Sequence, residues 1–213
     1  MDIDITKHIG AVTREVSMRE HEGKPAAVIV ATRTYDSDID DVWDALTNPE
    51  RIPRWFLPIT GDLRVGGHYQ LEGNAGGEIT RCEPPRLLAL TWGMHGQASW
   101  VVVELSEAEG GATKLQLEHV AHVPEEMWSV YGPGAGGVGW ELALVGLDAY
   151  LRTGRDNDAK EYEAWAVSAQ GKEYARLASQ GWARAAIAAG EDEEKAMAAA
   201  ERTAAFYSVA PES

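Results

Sequence analysis

Apolar and polar residues alternate through the middle of the chain. The alternation is clearest over 88–92 and 115–119, and it is typical of strands with one packed face and one solvated face. Short links rich in Gly, Pro and Asn separate such stretches, which favours antiparallel neighbours in a meander. The strands predicted for this region are 62–65, 68–72, 78–82, 87–92, 99–105 and 114–119.

The pattern ahead of the meander is different. Residues 26–34 form a continuous β-branched run that predicts a strand, and residues 9–16 form a candidate partner strand across a turn at 21–24. Apolar residues at helical spacing then predict a helix that Asp36 or Ser37 caps. Asn48-Pro49 begins a second short helix, which should end before Pro58.

A long apolar helix is predicted over 134–154, because apolar residues cover most of its circumference. Such a helix laid in a curved antiparallel sheet is an α+β grip. Beyond Gly154 the composition shifts to Ala, Glu and Lys, which predicts further helices with thin apolar faces. We therefore predict a domain over 1–154 and a helical C-terminal extension over 155–213, with a homodimer formed through the extension.

Charge and cysteine content narrow the function classes. The chain has 19 Lys and Arg against 34 Asp and Glu, a net charge of −15, which disfavours binding to nucleic acid or to anionic membranes. Its single cysteine, Cys82, cannot form an internal disulfide or a multi-thiolate zinc site. Neither a signal peptide nor an apolar stretch of membrane-spanning length is visible. We predict a cytoplasmic protein.

Motifs for cofactors and metals are weak. Residues 134–139 satisfy G-x-G-x-x-G, but no strand precedes them and no parallel strand follows, so the dinucleotide fingerprint lacks its βαβ context. We predict instead a flexible loop that enters the long helix. The six histidines are scattered, so we predict no metal site and no cofactor.

Aromatic residues give the strongest indication of function. The chain has eight Trp and two Phe, and Trp and Tyr combine large apolar faces with one polar group, which suits a pocket for an apolar or aromatic ligand. Core packing is the alternative for each residue taken singly. The ligand-binding residues predicted are Trp55, Phe56, Tyr69, Trp92, His119, Trp128, Tyr131, Trp140 and Leu144.

His119 is the candidate for chemistry. It continues the inward alternation of 115–119, so its imidazole could stand at the edge of the cavity as a hydrogen-bond partner or as a base. An acid would then come from Glu72 or Glu78. The alternative is a histidine of the core or rim that a neighbouring group satisfies.

Several stretches resemble one family. They are DVWDALTNPE at 41–50 followed by Trp55-Phe56, DLRVGG at 62–67, the segment 77–92, and Gly139-Trp140. Together they resemble the START-like (SRPBCC) superfamily, in particular the homologues of the C-terminal domain of the Hsp90 ATPase activator, over about 26–152. The resemblance implies a helix-grip fold of the START-like and Bet v-like type, with a deep cavity between the sheet and the long helix.

The resemblance implies no single reaction. The favoured hypothesis is a noncatalytic binder of a small apolar or aromatic molecule. One alternative is an enzyme similar to polyketide cyclases and aromatases that uses the same cavity. Another is an Hsp90 co-chaperone-like or other protein-interaction module. The eukaryotic co-chaperone engages its client ATPase with an additional N-terminal domain, and this sequence shows no counterpart of that domain.

Overall fold

A computed structural model describes residues 4–94 and 97–209. In this part of the chain eight strands form one sheet, in the order β1-β2-β8-β7-β6-β5-β4-β3. The pairs from β3 through β8 are antiparallel neighbours, as the meander predicted. The strands are β1 (Val12–His21), β2 (Lys24–Tyr35), β3 (Ile59–Gly61), β4 (His68–Leu71), β5 (Gly76–Glu83), β6 (Leu87–Met94), β7 (Gln97–Glu107) and β8 (Thr113–Ala121).

Helices precede, interrupt and follow the sheet. Side chains of Asp4, Asp38, Asp158, Ser168 and Asp192 accept hydrogen bonds from backbone N–H groups at the starts of five of them, which satisfies donors that a helix terminus leaves unpaired. The helices are α1 (Ile5–Gly10), α2 (Ile39–Thr47), α3 (Ile52–Trp55), α4 (Glu125–Tyr131), α5 (Gly134–Thr153), α6 (Ala159–Ala166), α7 (Ala169–Ala188) and α8 (Glu193–Phe206).

The chain divides into two compact units, each described separately below. The first, the terminal unit, contains Met1–Ala31, His122–Leu142 and Asp158–Ser213. The second, the sheet unit, contains Thr32–Ala121 and Ala143–Asn157. The domain boundary at residue 154 was predicted from a change in composition, and it stays a prediction. The two compact units are each discontinuous in sequence, so they are a different division of the chain.

In the sheet unit one face of the sheet is apolar. The register pairs Leu90 with Val101 and Leu88 with Val103, so these side chains lie on the same face as Leu117, which pairs with Val103 from the other side. The second half of α5 contacts β2, because the hydroxyl of Tyr35 donates to the carbonyl oxygen of Leu144 at 3.2 Å. The contact places the helix against that strand of the sheet.

Arginines connect the short helices of the sheet unit to α5. Arg51 Nε and Arg54 Nη1 both donate to the hydroxyl of Tyr150, at 2.9 and 3.1 Å. Arg51 is also paired with Asp41 and Asp44 of α2. The position of α3 beside α5 is therefore fixed by hydrogen bonds with charged donors, which are stronger than neutral ones.

In the terminal unit α7 packs on β1, α1, α6 and α8. Its alanines meet those of α8 in a core of Ala183, Ala186, Ala196 and Ala200, with Ile187 and Met197 against it. The thin apolar faces predicted for the extension thus cover each other within one chain. Tyr174 and Trp182 add large, fully buried side chains to the same helix.

Glycines of the G-x-G-x-x-G run lie in α5 and make room for the C-terminal helices. A Cβ added at Gly137 would overlap the indole of Trp182, and one added at Gly134 would meet the side chain of Thr203 at 3.0 Å. The run therefore lies within the helix, whereas we predicted a loop leading into it. Close packing of the terminal unit accounts for the glycines.

Two other local predictions need correction. Residues 62–65 are not a strand: the backbone there runs through a loop held by hydrogen bonds between Gly66, Gly67 and Ile79, and the strand that pairs with β4 is the earlier β3. The start of the predicted strand 9–16 belongs to α1, which Asp4 caps. Two residues of the link between the strands predicted at 87–92 and 99–105, residues 95 and 96, lie outside the described residues.

Candidate functional site

The apolar face of the sheet unit carries the candidate site. Tyr69, Leu71 and Ile79 are buried at its centre. Around them are partly buried apolar side chains from the sheet and from the loops after α3 and β3: Phe56, Leu57, Ile59, Leu63, Cys82, Leu88, Leu90 and Trp92. Toward β7 and β8 the same face is closed, since Val101, Val103, Leu115 and Leu117 are all buried. The face is thus covered at one side and incompletely covered at the other.

Three of the predicted aromatic residues, Phe56, Tyr69 and Trp92, belong to this cluster, and a fourth, Trp55, packs on one of them. Trp55 stacks on Phe56 with ring centroids 5.3 Å apart, and the ring centroids of Tyr69 and Trp92 are 6.5 Å apart. The indole N–H of Trp55 donates to the carbonyl oxygen of Ala45, and the hydroxyl of Tyr69 donates to the backbone carbonyl oxygen of Thr91. Because their polar groups are bonded to the backbone, these residues present mainly apolar surface.

His119 stands at the edge of this surface. Its Nε2 lies 2.7 Å from the Oγ of Ser99, and Ser99 in turn donates to the carbonyl oxygen of Trp92 at 2.8 Å. Burial disfavours the charged ring and lowers the pKa of His119 to about 4, so the imidazole is neutral at pH 7. Ser99 was not among the predicted residues; its place at an inward position of β7 is the signal that could have identified it.

Leu144 is buried in the second half of α5 and contributes its backbone carbonyl to Tyr35. One helical turn further on, Asp148 pairs with the buried Arg33 at 2.9 Å and with Arg152 at 2.8 Å. These pairs hold the helix against β2, because a buried carboxylate needs cationic partners. The part of Leu144 in ligand binding stays a prediction.

The remaining three predicted residues belong to the terminal unit. Trp128 and Tyr131 lie in α4, and Trp140 lies in the first half of α5. The ring of Tyr131 contacts Phe206 of α8 at 5.8 Å, and its carbonyl oxygen accepts a hydrogen bond from Thr203. The part of Trp128, Tyr131 and Trp140 in ligand binding stays a prediction.

Cys82 is the one thiol of the chain, and it lies beside the same apolar cluster. It is opposite Leu88 in the β5–β6 register, just after an irregularity between Ile79 and Arg81. Burial raises the pKa of its thiol. The thiolate is therefore disfavoured, and the side chain is a half-buried, weakly reactive neighbour of the candidate site.

Other features of the sheet unit do not contribute to this site. Glu78 pairs with His68 and alternates with the inward Ile79, so its side chain is on the opposite face, and Glu72 is exposed. A depression of about 280 Å³ lies at the far end of β6 to β8. Its lining is largely charged and polar: Glu83, Arg86, Leu87, Glu104, Leu105, Ser106, Lys114 and Gln116.

Metal binding and membrane insertion find no support in the described residues. Within 4–94 and 97–209, no three His, Cys, Asp or Glu side chains are grouped so that they could hold a metal ion. A search of the same residues finds no helix with the length and apolar character needed to cross a bilayer.

A curved antiparallel sheet, a long helix against its apolar face and a half-covered apolar cluster define a START-like helix-grip protein. A profile of the family described as "Activator of Hsp90 ATPase homolog 1-like protein" matches residues 36–152. The chain belongs to this family. No curated protein sequence matches it.

Solved structures extend the comparison. CalU16 from Micromonospora echinospora is 36% identical, with 85% of this chain and 99% of that chain covered and a TM-score of 0.65 for its crystal structure. Its solution structure gives a TM-score of 0.68, with 84% and 97% covered. DynU16, a protein of the dynemicin biosynthetic locus, is 21% identical with a TM-score of 0.54, covering 61% of this chain and 48% of that one, which supports the fold alone.

Proposed function

We propose that the protein binds a small apolar or aromatic molecule against the apolar face of the sheet unit and does not transform it. The observation that carries this proposal is the uneven cover of that face. Leu88, Leu90 and Trp92 share it with the buried Val101 and Val103, yet remain partly exposed. A continuous apolar surface that the unit leaves open is typical of a ligand site.

The lining favours a flat, largely neutral ligand. The rings of Trp55, Phe56, Tyr69 and Trp92 offer faces for stacking and apolar contact. His119 and Ser99 contribute polar groups at its edge. The net charge of −15 further disfavours anionic ligands.

An enzyme similar to polyketide cyclases is the second candidate, and the DynU16 fold from a biosynthetic locus is the reason to consider it. Two observations make it the weaker one. A histidine with a pKa of about 4 is a poor general base near neutral pH. Glu78 lies on the opposite face of the sheet from the imidazole, and Glu72 is exposed in the turn after β4, so neither supports the predicted role of an acid beside His119.

A role as a protein-interaction module is the third candidate, and the family description, which names an Hsp90 ATPase activator, is its support. This candidate and the ligand-binding candidate make different predictions for the isolated protein, because only a ligand-binding protein should retain a small molecule. Native mass spectrometry on gently purified protein would report both a retained small molecule and the subunit number. A released small-molecule mass supports the binding function, and the subunit number tests the predicted homodimer.

A direct test uses the neutral fluorescent probe N-phenyl-1-naphthylamine and two neighbouring leucines. Leu88 faces the apolar cluster, whereas Leu87 faces the polar depression on the other side of β6. Leu88→Trp fills the open part of the face, so we expect probe affinity to fall about tenfold or more, about 1.4 kcal/mol. The same change at Leu87 should leave the affinity unchanged.

Both variants must first give a wild-type circular dichroism spectrum and a cooperative melt. Equal loss of affinity in the two variants, or no saturable binding of the probe to wild-type protein, would count against this site.

A further inference from the structure

The hydrogen bonds at Ser99 specify which nitrogen of His119 carries the proton. Ser99 Oγ is 2.8 Å from the carbonyl oxygen of Trp92 and 2.7 Å from His119 Nε2. A carbonyl oxygen has no hydrogen to give, so the first contact is a hydrogen bond only if Ser99 donates. With no hydrogen between them, two oxygens at 2.8 Å would repel each other.

A serine hydroxyl has a single hydrogen and two acceptor lone pairs. If that hydrogen points to Trp92, the short contact with His119 requires Nε2 to be the donor. In a neutral imidazole only one nitrogen is protonated, so Nδ1 then carries the lone pair. Ser99 is 9% exposed, so water does not easily replace either of its partners.

We propose that Ser99 is a positioning residue that holds His119 in the Nε2–H tautomer, so that Nε2 donates to Ser99 and Nδ1 is an acceptor only. The consequence for ligands rests on the proposed function: a ligand carbonyl gains no hydrogen bond from this imidazole, and proton donation to a substrate from His119 is excluded. The assignment of the tautomer is independent of any ligand.

Sheet geometry explains why a serine can do this. His119 pairs with Val101, and Ser99 pairs with Ala121, so serine and histidine are diagonal neighbours on one face. Diagonal side chains are within reach of each other when one of them is long. Trp92 pairs directly with Ser99 from the other side, which brings its carbonyl oxygen to the hydroxyl.

The test is nuclear magnetic resonance of full-length, ligand-free protein with ¹⁵N-labelled histidine at pH 7. His119→Gln identifies the signals of His119 by their loss. In wild-type protein we expect Nε2 at the shift of a protonated nitrogen and Nδ1 at that of an unprotonated one. The reverse pattern, or averaged shifts of a tautomer mixture, would overturn the proposal.

Two variants separate tautomer control from packing. Ser99→Ala removes the acceptor and should move the shifts toward a mixture, whereas Ser99→Thr keeps a hydroxyl and should preserve the wild-type pattern. An unchanged tautomer in Ser99→Ala would show that Ser99 does not control it. Since these spectra need no ligand, failure of N-phenyl-1-naphthylamine to bind would reject the proposed function and leave this result standing.

Discussion

The two units fill their interiors in opposite ways. The terminal unit is built from small residues at close approach: Gly137 lies under Trp182, and alanines of α7 meet alanines of α8. The sheet unit is lined with large side chains, and some of them, such as Leu88 and Trp92, remain partly exposed. Tight packing leaves no room for another molecule, whereas an incompletely covered apolar face has room for one.

The contrast agrees with the different weight that the two sequence patterns received. The glycine-rich run has the spacing of a dinucleotide motif without its βαβ context, and in the structure it serves packing. The aromatic residues were predicted as a group to line a pocket, and Phe56, Tyr69 and Trp92 belong to the half-covered cluster. The terminal unit and the sheet unit nevertheless share one device, an arginine of a strand paired with a carboxylate of α5: Arg14 with Glu141, and Arg33 with Asp148.

The largest expected effect is the loss of stability when a buried ion pair of the terminal unit is broken, and its size shows how well water is excluded from that interior. Both Arg14 Nε and Nη2 donate to Glu141, at 2.7 and 2.6 Å, and the carboxylate is fully buried. Glu141→Gln leaves a buried guanidinium without its counter-charge, so the free energy of unfolding should fall by about 3–5 kcal/mol. Denaturant unfolding measures it.

The matched control is Glu173→Gln, which breaks an exposed pair with Arg176 and should leave stability nearly unchanged because solvent screens that pair. Equal effects in the two variants would mean that the interior of the terminal unit is accessible to water.

The second prediction compares two leucines on one face of the sheet unit. Leu117 is 5% exposed, whereas Leu88 is only partly buried. Leu117→Ala should lower the free energy of unfolding by about 2–5 kcal/mol, because it leaves a cavity, and Leu88→Ala by about 1 kcal/mol. If Leu88→Ala costs as much as Leu117→Ala, the face is closed and the contrast between the units disappears.

The third prediction concerns pH and the sheet unit. The pKa of His119 is lowered from 6.5 to about 4 by burial, so between these values the unfolded chain binds a proton that the folded chain does not. Stability is therefore lost as the pH falls from about 6.5 to 4, by on the order of 3 kcal/mol at most.

Carboxylates with lowered pKa values, such as Asp44, change stability in the same direction. The difference between wild-type protein and His119→Gln isolates the histidine. Unfolding curves measured at pH 7, 5.5 and 4.5 should show a shallower pH dependence for the variant. Parallel curves would mean that the imidazole is solvated, and that the edge of the site is open.

The smallest expected effect is at Gly137. Alanine favours a helix by up to about 1 kcal/mol, but its Cβ would overlap Trp182, and overpacking costs about 1–3 kcal/mol. We expect Gly137→Ala to lower the melting temperature by several degrees. Gly10→Ala, where a Cβ meets nothing within 4 Å, is the control; a stabilised Gly137→Ala would show that the terminal unit has spare volume.

Elements with a regular pattern could be predicted from the sequence. Strands β4 to β8 lie close to the predicted ranges because alternation and turn residues agree there, and α5 does because its apolar run is long. The strand β3 has only three residues, too few to show a period. The helix α1 is six residues long and depends on a capping aspartate, and α4 is similarly short.

The candidate site could be predicted in part. Alternation placed His119 on the inner face, and local pattern placed Trp55 and Phe56 beside the sheet. Alternation along β7 could have placed Ser99 on the inner face, but its contact with His119 could not be predicted, because it depends on the register of β7 against β8, which no local pattern specifies. The exposure of Leu88 likewise depends on tertiary packing, such as that of Phe56 and Leu57 from the loop after α3 against the same cluster.

The irregularity in β5 has a practical consequence. The irregularity turns Cys82 toward the apolar cluster, so that this thiol lies where a ligand is expected. Cys82 is the only cysteine in the sequence, and it therefore offers a single attachment point for a thiol-reactive label. A trifluoromethyl tag on that sulfur would place a fluorine nucleus at the rim of the site without any substitution in the chain. Its resonance would then report occupancy directly, and a library of candidate molecules could be screened by one-dimensional spectra.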